Sequence, residues 1–430
     1  MSAGFPAARP VLRKPCPESL SDSLARAGLR SGTSAPLVID RGWPLAKIPL
    51  LLRCSEPDSR EEDRRWWSFY FLGSEKAPFV CRSALENRTA TYLEDLHAVV
   101  QSFPRDMLLS GVEAASKRKP ALEVVQKAIA SRGDDWHSLT AQILNYKSSR
   151  RLTLRYRLMH SEGRESTRFC KLYSDSRDRE SWQKQQALED AVATGTADQF
   201  SVPQLLGRVP QWNALLWRRA PGEPVSDLLR SSSFDEIVSR VARCLGNLHG
   251  SHTGWSGIHG AERELGTVRS WLDALEVGSI GSTMEFEAIY RRLHRSMSTD
   301  RTGPLVPSHR DFYDKQILVD EDRCTLLDLE VASRAEAELD VGNFLAHLEL
   351  RWLQGRMEGR ESLAQLFVAE YSRVGSRLDA ARLRWYLASS LLRLGCVYSF
   401  RPEWVDLAPR LLEASMRALD GDRFLVGEKA

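Results

Sequence analysis

Within residues 150–159 (RRLTLRYRLM), polar and apolar residues alternate without a break from Arg151 to Leu158. Leu152, Leu154, Tyr156 and Leu158 fall on one face, and Arg151, Thr153, Arg155 and Arg157 on the other. A period of two over this length predicts a half-buried antiparallel strand. Ser161-Glu162-Gly163-Arg164 turns the chain, and residues 166–173 return as its partner. Residues 66–73 (WWSFYFLG) read as an earlier strand with an aromatic load, and Val202 to Leu206 opens a later one. Elsewhere the period is helical. Ile237, Val238, Val241, Leu245 and Leu248 form one stripe, opened by the capping box Ser233-x-x-Glu236 and stopped at Gly250. Helices are also expected over 91–103, 120–131, 179–193, 260–298, 361–374, 379–397 and 403–419.

The order of these elements divides the chain. Residues 1–40, rich in Pro, Ser, Ala and Gly, read as a disordered arm. A small α+β N-terminal domain is expected over 41–137, a small antiparallel-sheet lobe over 138–222 and a mainly helical lobe over 223–430. The chain's 430 residues suit two to three such units, and a 42% apolar fraction fills their cores. Sixty Lys and Arg against 57 Asp and Glu leave no polyanion-binding surface, so nucleic acid is not an expected partner. The seven cysteines are scattered and never in Cys-x-x-Cys spacing, as reduced thiols of a cytoplasmic protein would be. With no apolar run long enough to span a bilayer and no signal-peptide pattern, no membrane is expected either.

Chemistry concentrates between 306 and 343. His309, Arg310 and Asp311 are followed by Gln316, then by apolar Ile317-Leu318, a polar turn at 320–323, and Leu326-Leu327 running into Asp328-Leu329-Glu330. This reads as a catalytic loop, a strand, a turn and a second strand, with carboxylates at both mouths of the hairpin. The hairpin brings Asp311, Gln316 and Asp328 together. Phosphoryl transfer from ATP needs such a set: a carboxylate to orient the attacking hydroxyl and oxygen ligands to hold Mg²⁺ against the phosphates.

His309-x-Asp311-x-x-x-x-Gln316-Ile317-Leu318, followed by Leu327-Asp328-Leu329-Glu330, resembles the catalytic loop of the aminoglycoside phosphotransferase and choline kinase superfamily. The resemblance covers about 140–420 and implies a bilobal protein-kinase-like fold of the α+β class. The activity it implies is ATP- and Mg²⁺-dependent transfer of the γ-phosphate to a hydroxyl of a small molecule. His-Arg-Asp also echoes protein kinases, but Asp328 precedes Leu-Glu rather than Phe-Gly and no Ala-Pro-Glu follows. The family usually has Asn where this chain has Gln316, whose amide oxygen can still ligate a hard cation.

The resemblance also implies roles. Asp311 is the catalytic carboxylate and His309 fixes the loop, while Asp328 and Gln316 hold the metal, with Glu330 adding to the shell directly or through water. Lys171, near the end of a strand, reaches the α- and β-phosphates. Ser148 and Ser149 line the phosphate loop, and the backbone of Arg218 to Ala220 reads the adenine edge. The acid that pairs with Lys171 is open between Glu180 and Glu189, since the family's position aligns nearer Gln185 or Gln186. His249 and Asp340 read as structural. Residues 41–137 are either a cap, as in maltokinase-type members, or an appendage for stability or docking. An aminoglycoside acceptor asks for an acidic pocket, for which Glu336, Glu338, Glu403 and Asp406 are available; a neutral sugar or a choline-like alcohol fits as well. A kinase-fold regulatory protein that holds nucleotide with weak or no catalysis is the second reading.

Overall fold

The structure is a computed structural model, and it describes residues 15–30, 35–45, 48–56, 66–72, 79–129, 136–174, 177–193, 200–280, 283–297, 303–321 and 323–421. The expectation of a disordered 1–40 is corrected where the structure describes it, residues 1–14 and 31–34 lying outside. Helix α1 (Pro17–Arg26) forms there because Leu20 and Leu24 are fully buried and Ser23 Oγ donates to Asp95 Oδ2 at 2.6 Å.

Strands β1 (Val38–Leu45), β2 (Ile48–Ser55), β3 (Trp66–Phe71), β4 (Thr91–Leu93) and β5 (Ala98–Ser102) make one antiparallel sheet in the order β1-β2-β3-β5-β4, with α2 (Phe79–Glu86) between β3 and β4. The helix expected over 91–103 is therefore wrong. Val99 and Val100 are β-branched, buried, and paired with Tyr70 and Phe69 of the aromatic strand, and that packing outweighs the local helical spacing. Helices α3 (Val112–Ser116) and α4 (Arg118–Ile129) then lie on the back of a second sheet.

That second sheet contains β6 (Trp136–Lys147), β7 (Arg151–His160) and β8 (Glu165–Tyr173). After α5 (Arg177–Ala193) and the short β9 (Phe200–Ser201) come β10 (Leu205–Val209) and β11 (Ala214–Arg218), giving the order β10-β11-β8-β7-β6. The alternation seen in sequence decides its two faces. Leu152, Leu154, Tyr156, Leu158, Cys170 and Leu172 pack against Val125 and Ile129 of α4. The register Thr153↔Lys171 puts the polar row on the opposite face, toward the second lobe. A side chain at Gly207 would meet the Ala128 carbonyl at 2.8 Å, so the glycine lets α4 sit this close.

The large lobe opens with β12 (Glu223–Pro224) and three helices, α6 (Phe234–Gly250), α7 (Ala261–Gly278) and α8 (Met284–Ser296). Ser233 is the N-cap of α6, but its side chain makes no cap hydrogen bond, so the expected capping box is not closed. Strands β13 (Val306–Ser308), β14 (Ile317–Asp320), β15 (Arg323–Leu326) and β16 (Ser333–Ala335) carry the hairpin and its flanks. Helices α9 (Ala337–Leu353), α10 (Arg360–Val374), α11 (Ala380–Ser399) and α12 (Leu407–Leu419) complete the bundle. Gly342 allows α9 and α11 to touch, since a Cβ there would stand 2.8 Å from the Leu387 nitrogen.

Residues 41–137 thus divide between two packings. The N-terminal sheet joins the large lobe's core, where Leu50 and Leu52 share one apolar cluster with Leu272 and Leu275 of α7. The helices α3 and α4 belong instead with the small lobe's sheet. Among the described residues no helix is long and apolar enough to cross a membrane.

Candidate active site

Between the polar face of β7–β8 and the hairpin β14–β15 lies a cavity of about 810 Å³. Lys171, Arg151, Gln185 and Trp217 line it from the small lobe, and Tyr313, Lys315, Gln316, Asp328 and Glu330 from the large lobe. The backbone crossing between lobes, Arg218 to Ala220, forms part of the same wall.

Asp340 shapes the loop that carries Asp311. From the first turn of α9 it accepts the backbone N–H of His309 at 2.7 Å and of Arg310 at 2.6 Å. His249 Nε2 lies 3.2 Å from the same carboxylate, and its Nδ1 is 2.8 Å from the Tyr371 hydroxyl. All three of His249, His309 and Asp340 are buried. These bonds hold Arg310 at φ 67°, a left-handed conformation that an arginine does not adopt without support. His309 Nε2 meets the Leu327 carbonyl at 2.7 Å, tying the loop to the strand before Asp328, while its Nδ1 accepts the Asp311 N–H at 3.3 Å. The structural reading of His249 and Asp340 and the loop-fixing reading of His309 match this geometry. Gln316 Nε2 lies 3.4 Å from Asp311 Oδ2, so the two ends of the motif meet.

Across the cleft, cations converge on the second carboxylate pair. Lys171 Nζ is 2.6 Å from Asp328 Oδ1 and 3.1 Å from Glu330 Oε2. Arg151 Nη1 is 3.1 Å from both Asp328 Oδ2 and Glu330 Oε2, and Arg177 reaches Glu330 at 3.3 Å. Burial alone pushes both carboxyl groups upward, but Lys171 and Arg151 overcome it. Asp328 is held well below the usual carboxylate range and Glu330 at about 2. Asp328 also adopts a left-handed φ of 59°, which aims its side chain back into the cleft at the end of β15.

The cleft thus gathers Lys171, Gln316, Asp328 and Glu330, and Asp311 adjoins it through Gln316. Ser148 and Ser149 are not part of it. Both are buried under the N-terminal sheet, with Ser148 Oγ 2.6 Å from Ser68 Oγ and Ser149 Oγ 2.8 Å from the Tyr70 hydroxyl. Asp106 accepts the Ser149 N–H at 2.7 Å, which completes a polar joint between the two sheets. Neither candidate acid on α5 is shown bonded to Lys171: Glu180 pairs with Lys184, and Glu189 accepts from Gln185. The Arg218 N–H is committed to the Gln204 carbonyl, so the free edge of the crossing begins after it. The four acids available for an aminoglycoside pocket are not among the residues that line the cleft. Glu336 is buried against Arg382 and Tyr386, Glu338 accepts the Asp379 N–H, and Glu403 and Asp406 are exposed. Sequence reasoning misses Arg151 as a site residue; the available signal is its place on the polar face of β7, two residues before Thr153, the partner of Lys171.

Residues 148–386 match the profile of the phosphotransferase enzyme family. No curated protein matches the chain. Among solved structures, the spectinomycin phosphotransferase APH(9)-Ia, in complex with ADP and spectinomycin, is similar at 12% identity, with a TM-score of 0.50 over 70% of this chain and 98% of that one. Choline kinase from Cryptosporidium parvum aligns at 11% identity and TM-score 0.47, over 67% and 92% of the two chains. Macrolide 2'-phosphotransferase MphH from Brachybacterium faecium aligns at 16% identity and TM-score 0.44, over 70% and 98%. The fold is the bilobal, protein-kinase-like α+β fold, preceded by a small α+β domain.

Proposed function

The chain belongs to the phosphotransferase enzyme family, and from that premise we propose that it transfers the γ-phosphate of ATP to a hydroxyl of a small molecule. The observation that carries this reading is the meeting of Lys171, Gln316 and Asp328 at one cleft from three separate stretches of chain, with Asp311 against Gln316. Asp311 orients the acceptor hydroxyl in line and takes its proton late, since a loose transition state asks little of a base. His309 positions Asp311 through the loop backbone.

Asp328 and Gln316, with Glu330 beside them, are hard oxygen donors of the kind Mg²⁺ prefers. Among the described residues no group of three or more His, Cys, Asp or Glu side chains could hold a metal. Mg²⁺ typically uses one or two carboxylates plus substrate phosphates, which suits this set. When bound, the ion supplies charge neutralisation between the β- and γ-phosphates. Lys171 and Arg151 meet phosphate oxygens from the small lobe, and the backbone after Arg218 as far as Ala220 borders the adenine side. Arg151 takes over work assigned from sequence to the serine loop. Because α3 and α4 pack on the small lobe's sheet, the cap is limited to the N-terminal sheet with α1 and α2, the small lobe runs from α3 through Gly222, and the large lobe follows, in a cytoplasmic setting.

Gln316 in place of Asn and a Lys171 without a helix acid favour a second reading, a kinase-fold regulatory protein that holds nucleotide with weak catalysis. Mg²⁺-dependent ATP consumption in the presence of hydroxyl acceptors separates the two. Acceptor-stimulated turnover supports the enzyme, and nucleotide binding without turnover supports the regulator.

A further inference from the structure

Below the cleft the large lobe offers cations where an aminoglycoside would need acids. Tyr313 and Lys315, two and four residues beyond Asp311, line the cavity. Tyr313 stacks on His347 of α9 with ring centroids 4.2 Å apart. One turn on, Arg351 forks onto Asp314 at 3.0 and 3.1 Å, which neutralises that acid, and donates to Gln354 at 2.8 Å. Gln354 reaches the Tyr398 hydroxyl at 3.4 Å, and the Arg401 guanidinium lies 4.3 Å over the Tyr398 ring.

The N-terminal sheet packs against the end of α11 that carries Tyr398 and runs on to Arg401. At Gly42 of β1 a Cβ would collide with the Phe400 ring, so strand and helix end are in contact there. Arg41 beside it stands within electrostatic reach of Tyr313, Tyr398 and Arg401. Lys315 is likewise within reach of Arg351, Arg356 and Arg401. Against these cations stand Asp40, paired with Arg53, Asp314, paired with Arg351, and Asp311, the reacting carboxylate.

One buried atom points the same way. His347 is 8% exposed, and its Nδ1 is buried with no hydrogen-bond partner. An unpaired polar atom at that depth costs free energy unless a ligand or water completes it. Burial and four neighbouring cations, Arg351, Arg393, Arg401 and Lys315, push its pKa well down, so the ring stands neutral in a positive field. Such a field attracts negative charge and repels an amine.

We propose that the acceptor is an anionic alcohol, a hydroxyl compound bearing a phosphate or carboxylate, held by Arg41, Lys315 and Arg401 beside Asp311. This rests on the phosphotransferase reading and narrows its substrate class. It also gives the N-terminal sheet a function, because Arg41 brings one wall of the acceptor site.

The test uses the full chain and acceptors matched except in charge: glucose, glucose 6-phosphate, gluconate and glucosamine, then glycerol, glycerol 3-phosphate, glycerate and choline. Both binding by calorimetry and Mg·ATP turnover are measured. The proposal expects the anionic members to bind at least about tenfold tighter than neutral or cationic ones, the scale of one charge-assisted hydrogen bond. Arg401→Gln and Arg41→Gln should each erode that preference while leaving nucleotide affinity unchanged. Phosphate-bearing and carboxylate-bearing members separate the two anion types. Equal or tighter binding of glucosamine or choline, no binding of any anion, or a preference that survives both substitutions overturns the proposal. Charge-selective binding without turnover supports it and counts against the phosphotransferase reading alone.

Discussion

Lys171 and Asp328, 157 positions apart in sequence, are joined at 2.6 Å across the cleft between the lobes. The contact turns a strand lysine and a strand-end aspartate into parts of one centre. Replacing Lys171 by Met should leave Asp328 with Arg151, and Glu330 with Arg151 and Arg177. Turnover is expected to fall by about a hundredfold or more, on the scale of lost electrostatic stabilisation at a reacting phosphate. Steady-state kinetics with Mg·ATP varied reads this directly.

The same contact sets a pH dependence. Asp328 and Glu330 have folded-state pKa values below their unfolded ones, Glu330 at about 2. Their contribution to stability is therefore complete above the ordinary carboxylate range and is lost as pH falls from about 4.5 toward about 2. Denaturant titrations between pH 7 and pH 3 should show wild type losing more stability than Lys171→Met. An equal loss in both would contradict the pairing.

Asp340 is expected to matter without touching a substrate. Asp340→Ala strips partners from the buried N–H of His309 and the part-buried N–H of Arg310, at a cost of roughly 2–4 kcal/mol. Asp340→Asn keeps one acceptor oxygen and should cost less in both stability and kcat. Urea melts and kcat measured side by side check the order of the two variants.

Ser149→Ala tests the correction to the phosphate loop. The serine bonds Tyr70 and Asp106 under the N-terminal sheet. Its loss should lower stability by about 1–2 kcal/mol and leave the KM for ATP within about twofold, since it faces no part of the cleft. A tenfold rise in KM would restore the phosphate role.

Much of this centre was legible in the sequence because it is encoded locally. The alternation at 150–159 assigns Arg151 and Thr153 to the polar face, and the spacing from His309 to Gln316 defines one loop. What could not be read was which surface each face would meet. Ser148 and Ser149 are small and polar next to a turn, which suits a phosphate loop equally well as a joint with Ser68 and Tyr70 some 80 positions away. The strand at 98–102 was hidden for the same reason: its partner is the aromatic strand 66–71, and pairing overrides local spacing. The acids Glu336 and Glu338 are available in the sequence, but in the fold they are engaged by Arg382 and by the Asp379 N–H.

The central claim is that Asp311 orients an acceptor hydroxyl for phosphoryl transfer. The most direct measurement is acceptor-stimulated, Mg²⁺-dependent ATP consumption by wild type and Asp311→Asn, with nucleotide affinity determined for both. The account predicts that the substitution lowers turnover by about 10²- to 10⁴-fold while nucleotide still binds. Turnover undiminished in Asp311→Asn, or wild type and variant equally silent across the acceptors while both bind nucleotide, would contradict it.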